Sequence, residues 1–218
     1  MAKPQIVEDK DLDLLIKVTR ATSGQNAKRN VALLYTLFGT GLMPSEIAAL
    51  RVDDYLQKDQ PKEDTVVRPE ISFNGRSRPL MWSNKTLTKA VDAYVAERLE
   101  KGLGVAAKKL GCLGLDPVSP LFLSRGEEGF TFRVTERNGK TYRSCGSLVN
   151  LLNKLIAGAG LEGCNTGSAR RTLAVKLHRR RIDLRTINEI LGQSSLTATK
   201  ALCQGDTMRL SKLVAGVI

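Results

Sequence analysis

Apolar residues recur at helical intervals over several stretches of the chain, and the breaks between them are marked by glycine, proline and short polar runs. Residues 12–18 open a short helical pattern that the polar segment ATSGQN ends. Residues 27–38 carry Val31, Leu34, Tyr35 and Phe38 at the spacing of one helix face, and Gly39 and Gly41 break that helix. Pro44 then suits the first turn of a further helix holding Ile47 and Leu50, where a missing amide donor costs nothing.

The period changes over residues 66–82, which hold β-branched positions around FNGR. Asn74 and Gly75 supply a hairpin turn signal, while Pro69 and Pro79 keep the two strands short or at an edge. Asn84 precedes a helix to about residue 99, with Leu87, Val91, Tyr94, Val95 and Leu99 facing inward. A Gly- and Lys-rich connector occupies residues 102–114, a brief strand 121–123, and an exposed basic and aromatic stretch 127–142. Residues 145–159 return to helix through Leu148, Leu151, Leu152 and Leu155. The pattern predicts a mainly α fold with a small antiparallel β-sheet, in which residues 1–25 are an N-terminal extension and 26–218 one domain.

The last pattern, residues 165–203, reads as two short helices joined by an arginine-rich turn. Ser168 is expected to cap a helix starting at Ala169, with Ala169, Leu173 and Leu177 as its buried stripe. Asp183 caps the second helix, Ile187, Ile190 and Leu191 form its apolar face, and Gly192 closes it. Packing explains the leucines and isoleucines. It does not explain six arginines between Arg170 and Arg185.

Charge sharpens this picture. Lys and Arg number 34 against 22 Asp and Glu, a net +12, and residues 165–218 hold ten of the cations against three acids. Residues 1–54 are balanced at seven and seven. A local excess of this kind fits a polyanion, through phosphate attraction and counterion release. Arg170 is placed to meet a phosphate together with free helix-start amides, and Arg171, Lys176, Arg179, Arg180 and Arg181 extend the positive surface. Arg68, Arg76, Arg78, Tyr142 and Arg143 are further candidate DNA contacts.

Other chemistry is sparse. Cys112, Cys145, Cys164 and Cys203 form no CxxC pair, and with the single His178 they make a poor zinc site, so reduced thiols and no metal or cofactor are expected. No apolar run approaches the roughly 20 residues of a membrane span, which makes the cytoplasm the default location.

Three blocks in order, GTGLMPSEIAALRVDDY from Gly39, a hairpin ending in RSRPL at Arg76–Leu80, and GSARRTLAVKL with DLRTINEILGQSSLTATKAL, resemble the catalytic domain of the tyrosine recombinases, or phage-type integrases. The resemblance implies that fold, a double-stranded DNA partner, and an active site of two arginines, a hairpin lysine, histidines and a tyrosine nucleophile. Such a set clamps the charge on phosphorus, protonates the leaving oxygen and forms a covalent ester.

Carried across residue by residue, most of that set is missing. Met43 stands at the first arginine, the lysine region Ile71 to Asn74 holds no lysine, and Arg68 is its uncertain substitute. Gly167 and Gln193 occupy histidine positions, and Leu202 falls on the nucleophile. Only Arg170, at the second arginine, survives. The resemblance also implies a preceding DNA-clamping domain, which the 25 residues before the first strong helix do not supply.

The expectation is therefore a non-catalytic, recombinase-like DNA-binding protein serving transcription, plasmid maintenance or recombination. The apolar tail with Leu213, Val214, Val217 and Ile218 is a candidate for self-association. Two other readings stay open: a degenerate recombinase using Tyr142, Cys203 or a partner recombinase in trans, and a scaffold for RNA or an acidic protein.

Overall fold

The longest uninterrupted apolar stretch becomes the central helix of the fold. A computed structural model describes residues 5–107, 111–137 and 140–204. In it α2 (Ala27–Thr40) buries Val31, Leu33, Leu34, Leu37 and Phe38 together with Asn30 and Thr36. A helix apolar around most of its girth has to be enclosed, and α1 (Asp9–Thr22), α4 (Lys85–Glu100) and α6 (Thr166–Arg179) all pack on it. Helix α3 (Pro44–Ala48) follows α2 directly, with proline in its first turn, and α5 (Gly146–Gly158) packs on both α1 and α3.

Helix α1 runs through residues expected to end it. Val7, Leu15 and Ile16 lie in the main core, so the segment before residue 26 shares that core. Its acidic first turn also reaches α6, as described below.

The β structure of the described residues is antiparallel and forms four two-stranded ribbons: β1 (Leu56–Gln57) with β2 (Gln60–Pro61), β3 (Asp64–Val67) with β4 (Arg78–Met81), β5 (Leu123–Arg125) with β6 (Glu128–Gly129), and β7 (Arg133–Arg137) with β8 (Lys140–Ser144). Val67 pairs with Arg78, so ten residues connect β3 and β4 and Asn74–Gly75 forms no tight two-residue hairpin. That long connection carries Phe73. The expected strand at 121–123 begins only at Leu123, and Leu121 and Phe122 before it are buried in the core. The exposed stretch before Tyr142 is ordered as the β7–β8 ribbon, in which Thr135 faces Tyr142 and Val134 faces Arg143.

Helices α6, α7 (Leu184–Leu191) and α8 (Leu196–Cys203) enclose a small second cluster of Ala174, Ile187, Leu191 and Cys203. Asp183 caps α7 by accepting from the Arg185 and Thr186 amides at 2.9 and 3.0 Å, and Gly192 ends it at φ +60°. The cap of α6 differs from expectation. Asn165 is the N-cap, and Ser168, one turn in, accepts the Asn165 amide at 3.1 Å through its hydroxyl. Ala169 is buried as predicted, whereas Leu173 and Leu177 are only half-buried against the second cluster.

Candidate nucleic-acid interface

Helix α6 presents different cations at its two ends. Arg170 and Arg179 are nine residues apart, which at 100° per residue places them on opposite sides of the helix. Arg179 grips Glu8 with two bonds of 2.9 Å, and Lys176 meets Asp9 at 2.6 Å. Both acids belong to the start of α1, so these two cations hold the N-terminal helix in place. As phosphate contacts they would have to exchange these acids for DNA. Arg180 and Arg181 remain exposed beside them, Arg181 with φ +64° at the end of the helix.

The other end of α6 faces a cleft of about 500 Å³. Met43 and Pro44 from the start of α3, Phe73 from the β3–β4 connection, Gly167, Arg170 and Arg171 from α6, Gln193 after α7, and Leu202 from α8 line it. The fold thus brings together Met43, Gly167, Arg170, Gln193 and Leu202, positions spread over 160 residues of sequence. Phe73 joins them from the region where a lysine was sought.

Arg170 lies at the floor of this cleft with 7 % of its surface exposed. Its Nη1 donates to the Gly41 carbonyl at 2.8 Å, its Nη2 to the Leu191 carbonyl, and Phe73 covers it with the ring centroid 4.8 Å away. Both acceptors are neutral. Burial, and secondarily the neighbouring Arg78, pull its pKa down to about 10, with Glu46 opposing. The expected free amides at the start of α6 are already used: Thr166 donates to Asn153 Oδ1 at 3.0 Å, Gly167 to Asn165 Oδ1 at 2.8 Å, and Ser168 to the Asn165 carbonyl at 2.9 Å. A helix start capped this completely offers an anion little.

Arg171 is equally buried and donates to the Gln204 carbonyl at 2.9 Å, which ties α6 to the end of α8. Arg78 is not an open DNA contact either. Its guanidinium forms a bidentate pair with the fully buried Glu46 at 2.7 and 2.6 Å. Arg68 is bonded to Asp54, Glu70 and the Ala49 carbonyl, so it fixes the loop after β3 and does not stand in for a cleft lysine. Arg76 is exposed beside the cleft in a shallow depression shared with Asn188 and Gln193, and Arg143 is exposed with its guanidinium near the Glu70 carbonyl, 3.5 Å.

The substitute nucleophiles fall outside the cleft lining. Cys203 is buried in the second cluster, its Sγ 3.7 Å from the Ala174 carbonyl. Tyr142 projects from the β7–β8 ribbon, half exposed. The apolar tail proposed for self-association lies outside the described residues.

Glu46 and Phe73 are the site residues that pattern reading missed. Glu46 sits on an unremarkable short helix, and its one sequence signal was the neighbouring Pro44, which fixes where that helix begins. Phe73 was hidden because its partner, Arg170, is 97 residues away.

The arrangement of the helices and ribbons has solved counterparts. The XerA recombinase superposes on 99 % of this chain and 64 % of its own, with a TM-score of 0.69 at 19 % identity. The XerH site-specific recombinase in a post-cleavage complex with palindromic difH substrate covers 98 % of this chain and 53 % of its own, at 0.67 and 18 %. The fold is that of a tyrosine-recombinase catalytic domain.

Sequence comparison agrees with this recombinase fold. Tyrosine recombinase XerC of Pediococcus pentosaceus is 26 % identical over 199 residues, 90 % of this chain and 56 % of its own length. Tyrosine recombinase XerC of Brucella suis biovar 1 is 32 % identical over 185 residues, 84 % and 49 % respectively. The chain spans about half the length of the curated relatives it matches. No family model matches it. Among the described residues no helix is long and apolar enough to cross a membrane, and no cluster of His, Cys, Asp or Glu is suited to a metal ion.

Proposed function

We propose that this chain docks on duplex DNA through its recombinase-like fold without cleaving it, and serves as a regulator or accessory factor in transcription, plasmid maintenance or recombination. The observation that carries this reading is the content of the cleft. Where the resemblance calls for an arginine, a lysine, two histidines and a tyrosine, the lining offers Met43, Phe73, Gly167, Gln193 and Leu202. None of these side chains is a nucleophile or a proton donor able to protonate a departing alkoxide. The burial of Cys203 is a further support, since an apolar surrounding disfavours a thiolate.

DNA as the partner is supported by the recombinase of like fold solved with its difH substrate and by the exposed cations Arg76, beside the cleft, and Arg143, on the β7–β8 ribbon. The test is incubation of the full chain with supercoiled plasmid and nicked suicide duplexes, followed by denaturing gels. Salt-sensitive duplex binding with no protein-linked strand is expected. A covalent adduct that disappears in Tyr142→Phe overturns the non-cleaving reading, and selective RNA binding overturns the choice of partner.

A further inference from the structure

The cleft opens beside Arg170, between α3, the β3–β4 connection, α6 and α8. Its walls at Met43, Pro44, Phe73 and Leu202 are apolar, and its volume of about 500 Å³ lies within the range of small-molecule sites. The apolar part of this cleft is open to solvent, so covering it with the apolar body of a ligand is favourable. At its floor is a cation whose charge is not matched: Arg170, 93 % buried, makes its hydrogen bonds to two carbonyls and pairs with no carboxylate among the described residues. The nearest acid, Glu46, has both oxygens committed to Arg78.

We propose that this cleft binds a small amphipathic carboxylate, its anionic end on Arg170 and its apolar body against Met43, Phe73 and Leu202. Charge and shape both select this class. A guanidinium has five N–H donors, two of which are spent on Gly41 and Leu191, and the remainder suffices for one planar carboxylate. A phosphate carries more acceptor oxygens, and the amides that would satisfy them are taken by Asn153 and Asn165. Its further oxygens would depend on Thr166 and Gln193, the neutral polar side chains of the lining, beside the apolar Met43, Phe73 and Leu202. The lowered basicity of Arg170 has the same origin, a buried cation that a bound anion would stabilise.

The proposal rests on the reading of the cleft as non-catalytic and is independent of DNA affinity. The full chain is titrated calorimetrically with octanoate and 3-phenylpropionate, each against its primary amide, and with inorganic phosphate. Saturable one-to-one binding of at least one carboxylate, with Kd below about 1 mM, and at least about tenfold weaker binding of its amide are expected. Met43→Trp, which fills the mouth of the cleft, is expected to abolish binding with the melting transition and far-ultraviolet spectrum retained. Arg170→Gln is expected to do the same, and if it fails to fold then Met43→Trp and Leu202→Trp decide. Absence of saturable binding, equal affinity for the amide, tighter binding of phosphate, or undiminished binding by both tryptophan variants overturns the proposal. A DNA adduct in the cleavage assay overturns the non-catalytic reading instead, so the two failures are separable.

Discussion

Glu46 and Arg78, 32 residues apart in sequence, meet as a buried two-pronged ion pair at 2.7 and 2.6 Å. Glu46 also accepts the Met43 amide at 2.7 Å and the Phe73 amide at 3.1 Å. One carboxylate therefore ties strand β4 to the start of α3 and the β3–β4 connection, the last two of which line the cleft. Glu46→Gln leaves the Arg78 charge buried with half its acceptors, and a loss of about 3–5 kcal/mol in urea unfolding is expected. A double change to apolar residues, Glu46→Leu with Arg78→Met, should recover a large part of it. A single-variant loss below about 1 kcal/mol would remove the pair from its proposed role.

Gly41 holds the junction between the two hydrophobic clusters. Its φ is +66°, and a Cβ there would stand 2.8 Å from Leu191 Cδ2 and 3.0 Å from Leu173 Cδ2. Gly41→Ala therefore combines left-handed strain with displacement of α6 and α7, and should cost about 1–3 kcal/mol. Because the Gly41 carbonyl holds Arg170, the same variant should also perturb the arginine side-chain resonances of Arg170 in NMR spectra. An unchanged melting temperature would show that the junction relaxes freely.

The division of α6 into two charged ends has a direct consequence for DNA affinity. Arg179→Gln should lower thermal stability by loosening α1, while leaving the slope of log K against log salt unchanged. Arg76→Gln should leave stability alone and reduce that slope by about one, the signature of one lost phosphate contact. The reverse pattern would mean that the α1 end of α6 faces the duplex.

Asp9 gives the same region a pH signature. The hydrogen bond and charge of Lys176 hold its carboxyl below the usual value of 3.8. A depressed folded-state pKa contributes stability above the unfolded value, and that contribution is lost as pH falls through the folded one. The difference in urea midpoint between the native chain and Asp9→Asn should thus be constant from pH 5 to 8 and vanish on acidification below about 3.8. Asp9 is largely exposed, so the plateau should be below about 1 kcal/mol. A difference that persists at pH 2 would contradict the ion-pair account.

Much of the fold was legible in short-range pattern. The apolar spacing of Val31, Leu34 and Phe38 located α2, Pro44 located α3, Asn84 and Asp183 located helix starts, and Gly192 a helix end, because each acts within one or two turns of itself. The α6 start was misplaced by three residues since Asn165 and Ser168 both have capping side chains and form one reciprocal motif. The cleft was legible only as a set of positions carried over from a resemblance, and the acids paired with Arg78, Lys176 and Arg179 were not legible at all.

Sequence alone determined the order and type of the main elements, the concentration of cations after residue 165, and the absence of a tyrosine at the position of Leu202. Tertiary structure decided what the cations of the chain do. Arg68, Arg78, Lys176 and Arg179 are each neutralised by an acid that lies distant in the chain or across a turn, and Arg170 is not. Net charge counts residues without regard to place, whereas pairing falls off over a few ångströms and is set by which helices touch. The same folding step that pairs four cations leaves Arg170 buried at the floor of the cleft, bonded to two neutral carbonyls.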